Sequence, residues 1–214
     1  MGGVERIVET MGAENLPPEE EIVPAKTGGP EGRPTLINRI VAVDHAFLRT
    51  LASLTLPKPL VLPLILLVRV GDGWIWFLVA FGLWKFLPLI RLEASVLHSL
   101  LTVAISLAIY WPVKLLVRRP RPHDCGLGIT PSVPPLDKFS FPSGHTMNNL
   151  AVALTVSLYL PRLLIPAILL PISMGILRIL FGVHYLSDIT GGALLGTLGF
   201  FLAKVIFPHL HLHL

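Results

Sequence analysis

Cysteine occurs once in the 214 residues, at Cys125, so no internal disulfide and no thiolate cluster for zinc can form. Charge is scarce: 14% of residues are charged, against about 25% in an ordinary soluble domain. There is no internal repeat and, after the first 36 residues, no low-complexity tract. These shortages exclude a disulfide scaffold and a thiolate metal site. What fills the chain instead is apolar surface, with 53% hydrophobic residues and a mean hydropathy of +0.72. That is too much to hide in one water-soluble core, and far too much for disorder as the main state. The composition is that of an integral membrane protein.

The net charge of +4 hides an asymmetry, because residues 1–44 carry −4 and residues 45–214 carry +8. The cations are spread among apolar stretches rather than clustered on a polar domain, so nucleic acid is not the expected partner. Residues 1–36, with Pro17-Pro18, Glu19-Glu20-Glu21 and Gly28-Gly29-Pro30, read as a flexible acidic tail, with no apolar run of a secretory leader. Residues 37–50 mix apolar positions with Arg39, Asp44 and Arg49, which suits an amphipathic helix along the membrane surface or an extension of the first span. Six apolar stretches follow, at 51–70, 73–90, 94–117, 145–160, 163–183 and 186–207. A helical span takes about 20 residues, and only helices satisfy their own backbone in lipid at this length. The expected fold is all-α, an integral membrane bundle of six helices over 51–207, with 208–214 as a C-terminal tail.

Six spans put both ends of the bundle on one side. Arg49, Lys85, Arg91, Arg162 and Lys204 fall at junctions on that side, which the positive-inside rule assigns to the cytoplasm. The loop 118–144 lies opposite and is itself basic, through Arg118, Arg119, Arg121 and Lys138. Counted naively it opposes this orientation, unless its cations serve a substrate.

Three polar clusters interrupt the apolar chain, all on that opposite side. The first runs from Lys114 through Arg118-Arg119-Pro120-Arg121-Pro122. Lys114 and Arg121 are seven apart and would share a face if the helix continued, although Pro120 and Pro122 favour an ending there. A snorkelling basic end to a span explains the cluster equally simply. The second is Pro142-Ser143-Gly144-His145, immediately before the fourth apolar stretch. A helix N-terminus there offers free N–H groups to phosphate oxygens, Gly144 permits close approach, and His145 supplies a proton donor near neutral pH. A plain Ser N-cap accounts for Ser143 but not for His145. The third is Arg178, His184 and Asp188. Four residues apart, Asp188 can accept the Nδ1–H of His184 and leave Nε2 as a nucleophile. A buried Arg–Asp pair is the blander reading of Arg178 and Asp188.

Together, in this order and on one membrane face, the clusters carry more than any one alone. The chain resembles the type-2 phosphatidic acid phosphatase superfamily, whose signature is K-x6-R-P, then P-S-G-H, then S-R-x5-H-x3-D. Those patterns stand here as Lys114…Arg121-Pro122, Pro142-Ser143-Gly144-His145 and Arg178…His184…Asp188, over about residues 51–207. One position departs, Leu177 standing where the family has Ser. The resemblance implies a membrane-embedded lipid phosphatase, without metal or other cofactor, acting on lipid phosphates of the surrounding bilayer. It implies that Lys114, Arg121 and Arg178 clamp phosphate oxygens, with Ser143 and Gly144 completing the cradle. His184 would attack phosphorus to give a phosphohistidine, Asp188 would orient it, and His145 would protonate the leaving oxygen. With Lys114, Arg118, Arg119 and Arg121 serving a substrate rather than topology, the charge count places the site on the non-cytoplasmic side of a multi-pass protein, expected in a bacterial inner membrane. Vanadate-dependent haloperoxidases share the phosphate-binding core but are soluble, and a lipid transporter would not need a complete acid, nucleophile and cradle.

Within the lipid phosphates, 138–146 is similar to the polyisoprenyl diphosphate phosphatase branch. Arg118 and Arg119 would add cations for a diphosphate, and only Asn148 and Asn149 stand nearby to read sugar hydroxyls. An isoprenyl diphosphate is therefore favoured over phosphatidic acid or phosphatidylglycerol phosphate. Elsewhere, His98 reads as a packed helix residue and Trp74, Trp76, Trp84 and Trp111 as interface anchors. Arg69 and Asp72 read as a local ion pair, and His209, His211 and His213 as a frayed interfacial end.

Overall fold

A computed structural model describes residues 35–52, 54, 56–71, 73–84, 89–125 and 137–211. Among the described residues there are seven α-helices and no strand: α1 (Leu36–Ala52), α2 (Lys58–Val70), α3 (Trp74–Leu83), α4 (Leu89–Val117), α5 (Gly144–Tyr159), α6 (Leu164–Leu180) and α7 (Leu186–His211). The tail expected at 1–36 lies almost wholly outside these residues, as do Asp72, Lys85 and His213.

The seventh helix is α1, the separate helix offered for 37–50, and α2 to α7 fall on the six apolar stretches but are unequal. α2 has 13 residues and α3 ten, about 20 Å and 15 Å of helix at 1.5 Å per residue. Proline at the first turn of α2 and the tight turn at Gly71–Gly73 confine them. Three helices, over Arg91–Cys125, Pro161–Leu180 and Leu186–Leu210, are long and apolar enough to cross a membrane. Large apolar side chains such as Leu100, Leu116, Ile165, Leu194 and Val205 point outward from them, as a lipid-facing surface requires.

α5 touches α4, α6 and α7, and α4 also packs on α7, so four helices form the centre. Small and hydroxylic residues mediate these contacts, as they do where no water drives helices together. Thr102 and Thr155 pair their hydroxyls at 3.0 Å between α4 and α5. α7 presents Gly192 to the chain entering α5, and a Cβ built there would fall inside contact distance of the Ser143 carbonyl oxygen. Glycine is therefore what lets α7 reach the start of α5.

α2 packs on α6, α3 on α4, and α1 on α6 and α7. α1 is amphipathic in an unexpected sense. Its outer face is apolar, with Leu36, Ile37, Ile40 and Val43 exposed, while Asp44 and Leu48 are buried. Leu48 packs on Ile179 and Tyr185. Arg49 therefore sits at the α6–α7 turn, not at the opposite end where the charge count placed it. At that opposite end, His98 stacks on Phe207 with ring centroids 4.3 Å apart and meets the Tyr159 hydroxyl at 3.2 Å, a packed residue as expected.

Candidate active site

The C-terminal ends of α4 and α6 and the N-terminal ends of α5 and α7 meet at one end of the bundle. Each polar cluster of the sequence lies at one of these ends.

Lys114 is in the last turn of α4, fully buried, with Nζ 2.7 Å from the Tyr110 hydroxyl and 2.9 Å from Asp137 Oδ2. It does not share a helical face with Arg121. α4 stops at Val117 because Arg118 takes a left-handed conformation (φ 47°), uncommon without glycine. The chain then doubles back and carries Arg121 to the site by a loop. Arg121 donates through Nη1 to the Val183 carbonyl at 2.8 Å, through Nη2 to Asp137 Oδ1, and through Nε to the Asp137 carbonyl at 3.0 Å. Asp137 thus bridges the two cations. Burial alone would raise its pKa, but Lys114 and Arg121 outweigh this and hold the carboxyl below its ordinary value.

Ser143 caps α5 from extended backbone, its hydroxyl accepting from the Thr146 amide and hydroxyl. Its own amide donates to the Asp188 carbonyl at 2.9 Å, which ties the start of α5 to the start of α7. Gly144 lies under the Tyr110 ring, and His145 follows in the first turn. The carbonyl of His145 accepts from Asn149 Nδ2 at 2.8 Å. Asn149 also donates to Gly71 and accepts from Trp76 Nε1 at 2.8 Å. So Trp76 is a structural partner of α5 rather than an interface anchor, whereas Trp84 and Trp111 are more than half exposed.

α6 ends in a motif that sets the third cluster. Gly182, at φ 67°, donates to Ile179, and Val183 donates back to Arg178 at 3.0 Å, the paired bonds of a Schellman ending. This turn carries His184 back beside Arg178, whose carbonyl also accepts the His184 amide. α7 begins two residues later, and Asp188 in its first turn accepts the Tyr185 amide at 2.8 Å, a capping-box contact. The same oxygen, Oδ2, lies 3.4 Å from His184 Nδ1. His184 Nε2 faces Arg121 Nη1 at 3.5 Å. His184 lies between α6 and α7, outside the spanning helices. Its burial pushes its pKa down to about 4, Asp188 pulling upward while Arg121 and Arg178 push further down.

Lys114, Arg121, Ser143, Gly144, His145, Arg178, His184 and Asp188 are therefore gathered at one end of the fold. A cavity of about 240 Å³ reaches Tyr110, Asp137, Gly144, His145 and Asn148. Trp76 lines both this cavity and a largely apolar one of about 190 Å³, bounded by Phe77, Leu92, Val103 and Val156 between α3, α4 and α5. On the other side of Asp137, a pocket of about 470 Å³ holds Arg118, Arg121 and Lys138.

Arg119 does not join the phosphate cations as expected. Its guanidinium turns to Asp44 at 2.7 Å and Asp188 at 3.1 Å. Asp44, Tyr110 and Asp137 are site residues that sequence reasoning did not assign. Tyr110 stands one turn before Lys114, a signal available in the spacing. Asp44 is about 140 residues from its partner Ser187, and no spacing reveals such a contact. Of the two asparagines offered for sugar reading, Asn149 is committed to the scaffold.

The PAP2 superfamily matches this chain over residues 95–211. The decaprenylphosphoryl-5-phosphoribose phosphatase of Mycobacterium tuberculosis is 37% identical over 110 residues, which cover 51% of this chain and 59% of that protein. The match thus takes in less than two thirds of the relative's length. The PAP2-type phosphatidylglycerolphosphate phosphatase of Bacillus subtilis superposes with a TM-score of 0.61 at 25% identity, covering 79% of this chain and 86% of that one. LpxE of Aquifex aeolicus shares the fold, with a TM-score of 0.63 at 22% identity over 75% and 94% of the two chains.

Proposed function

Because the chain belongs to the PAP2 superfamily, we propose that it is a membrane-embedded, metal-independent lipid phosphatase working through a phosphohistidine. One observation carries the reading: His184 Nε2 faces the Arg121 guanidinium while Asp188 stands on its Nδ1 side. A nucleophile is thereby aimed at the place where a cation would hold phosphate.

In this reading the substrate phosphate enters beside Lys114, Arg121 and Arg178, taking over cation contacts that Asp137 now occupies. Ser143 and the Gly144 amide, at the N-terminus of α5, hold further oxygens. His184 Nε2 attacks phosphorus, the bond to the lipid oxygen breaks, and His145 gives that oxygen a proton. Water, deprotonated by His145, then cleaves the phosphorus–nitrogen bond, releasing phosphate and restoring both histidines. Asp188 stabilises the positive charge that grows on the His184 ring, and the cations offset charge on the phosphoryl oxygens.

The substrate reading favours an isoprenyl diphosphate. The apolar cavity beside Trp76 suits a hydrocarbon chain, and Arg118 and Lys138 beside Arg121 suit a second phosphate. The Mycobacterium relative is itself named for a decaprenyl substrate. The Bacillus structure keeps phosphatidylglycerol phosphate, and with it phosphatidic acid, as the second reading. The site is assigned to the non-cytoplasmic face of a bacterial inner membrane. Arg91, Arg162 and Lys204 are exposed at the opposite end of the bundle, while Lys114, Arg119 and Arg121 are engaged in ion pairs.

The test compares kcat/KM of purified protein in mixed micelles on an isoprenyl diphosphate, phosphatidic acid, phosphatidylglycerol phosphate and glucose 6-phosphate, with and without EDTA. Isoprenyl diphosphate should lead, with EDTA having no effect. A tenfold preference for phosphatidic acid, about 1.4 kcal/mol in the transition state, would sink the isoprenyl choice and keep the lipid phosphatase. Hydrolysis of none of the four would leave a lipid-binding or transport protein.

A further inference from the structure

Asp44 lies on α1, outside the stretch 95–211 and outside all three sequence motifs, yet it is 1% exposed. A buried carboxylate is costly unless its charge is paired. Both of its oxygens are used. Oδ1 accepts the Ser187 amide at 2.8 Å, while Oδ2 accepts the Ser187 hydroxyl and Arg119 Nη2 at 2.7 Å. Arg119 lies over the Tyr185 ring, 3.9 Å from its centroid, and its other arm reaches Asp188 Oδ1 at 3.1 Å. Asp188 Oδ2, on the far side of that carboxylate, is the atom 3.4 Å from His184 Nδ1. A continuous chain of contacts therefore runs from Asp44 through Arg119 and Asp188 to His184.

Arg119 with Asp188 alone would be a neutral pair, and Asp188 would have little left for the imidazole. Asp44 takes the second arm of the guanidinium, so two carboxylates share one cation and the cluster keeps one negative charge facing His184. We propose that Asp44 is a positioning residue that, through Arg119 and Ser187, holds the Asp188 carboxylate in place and aimed at His184 Nδ1. α1 thereby supplies a residue that positions the site. The inference rests on His184 being the nucleophile, because the cluster's negative charge matters only when positive charge develops on that ring.

The experiment measures kcat and KM of the detergent-purified full chain on the lipid phosphate it hydrolyses best, together with orthovanadate inhibition and thermal stability. Asp44→Asn removes the charge and keeps the shape, so kcat should fall at least about tenfold while KM and the vanadate inhibition constant stay within about twofold. Asp44→Glu should restore much of the lost kcat. Arg119→Lys, which keeps a charge but cannot bridge two carboxylates, should reproduce the loss and serves if Asp44→Asn does not fold. Leu48→Ala loosens α1 on Ile179 and Tyr185 without removing any charge or hydrogen bond of the polar chain, and should lower stability with a smaller effect on kcat than Asp44→Asn. Wild-type kcat in Asp44→Asn or Arg119→Lys overturns the proposal, as does an equal kcat loss in Leu48→Ala. A wild type inactive on every lipid phosphate overturns the phosphatase reading and this proposal with it. An active wild type beside an unaffected Asp44→Asn overturns this proposal alone.

Discussion

His184 is buried in a turn whose every neighbour has a second task. Asp188 caps α7, Arg121 holds the Val183 carbonyl, and Gly182 shapes the return of the chain. Removing the imidazole should therefore spare the scaffold. His184→Ala is expected to lower kcat by at least about a thousandfold, roughly 4 kcal/mol, while orthovanadate still binds to the cations. Substantial residual turnover in a steady-state assay would refute the nucleophile. The pH dependence follows from burial. In the proposed mechanism only the neutral ring attacks, and burial holds its pKa down at about 4. The acid limb of kcat/KM should therefore fall near pH 4, and a limb centred between pH 6 and 7 would contradict the burial argument. Stability has the same sign. Below about pH 6.5 the unfolded chain binds a proton that the folded His184 refuses until about pH 4, so stability is lost as pH falls through that window.

The three clusters become a site only because helix ends meet. The sequence places Ser143 before α5 and Asp188 after the α6–α7 turn, but their union depends on the bond from the Ser143 amide to the Asp188 carbonyl. That contact needs α7 to approach the start of α5 at Gly192, where no side chain fits. Gly192→Ala is expected to cost about 1–3 kcal/mol through overpacking and to reduce activity, because the obstacle is backbone and cannot swing away. Thermal unfolding in detergent beside a kcat measurement checks it, and an unchanged melting temperature would show that the helices separate freely. The ends of α5, α6 and α7 were legible in their caps and turn residues. The end of α4 at Val117 was legible too, in the apolar stretch 94–117 and the prolines beyond it, but the reversal at Arg118 was not, because its residue type does not advertise a left-handed conformation.

For the whole molecule, the exposed thiol of Cys125 lies on the site's side of the bundle and reports its orientation. An impermeant thiol reagent applied to intact cells should label it, and labelling only after the cells are opened would place the site in the cytoplasm. The sequence by itself determined the family and the apolar character of the chain. Few charges and long apolar runs leave no soluble core, and three polar clusters at span ends carry a phosphatase signature that needs no coordinates to read. Periodicity could not apportion the helices. Proline and glycine near Pro57 and Gly71 leave α2 and α3 shorter than the apolar stretches 51–70 and 73–90 on which they fall. Tertiary structure alone decided that Arg119 leaves the phosphate cations for Asp44 and Asp188, and that Asp137 bridges Lys114 and Arg121. The reason is physical. Local patterns encode helices, caps and turns, whereas the pairing of a buried charge depends on which carboxylate the folded chain brings within reach, and Asp44 comes from 75 residues away.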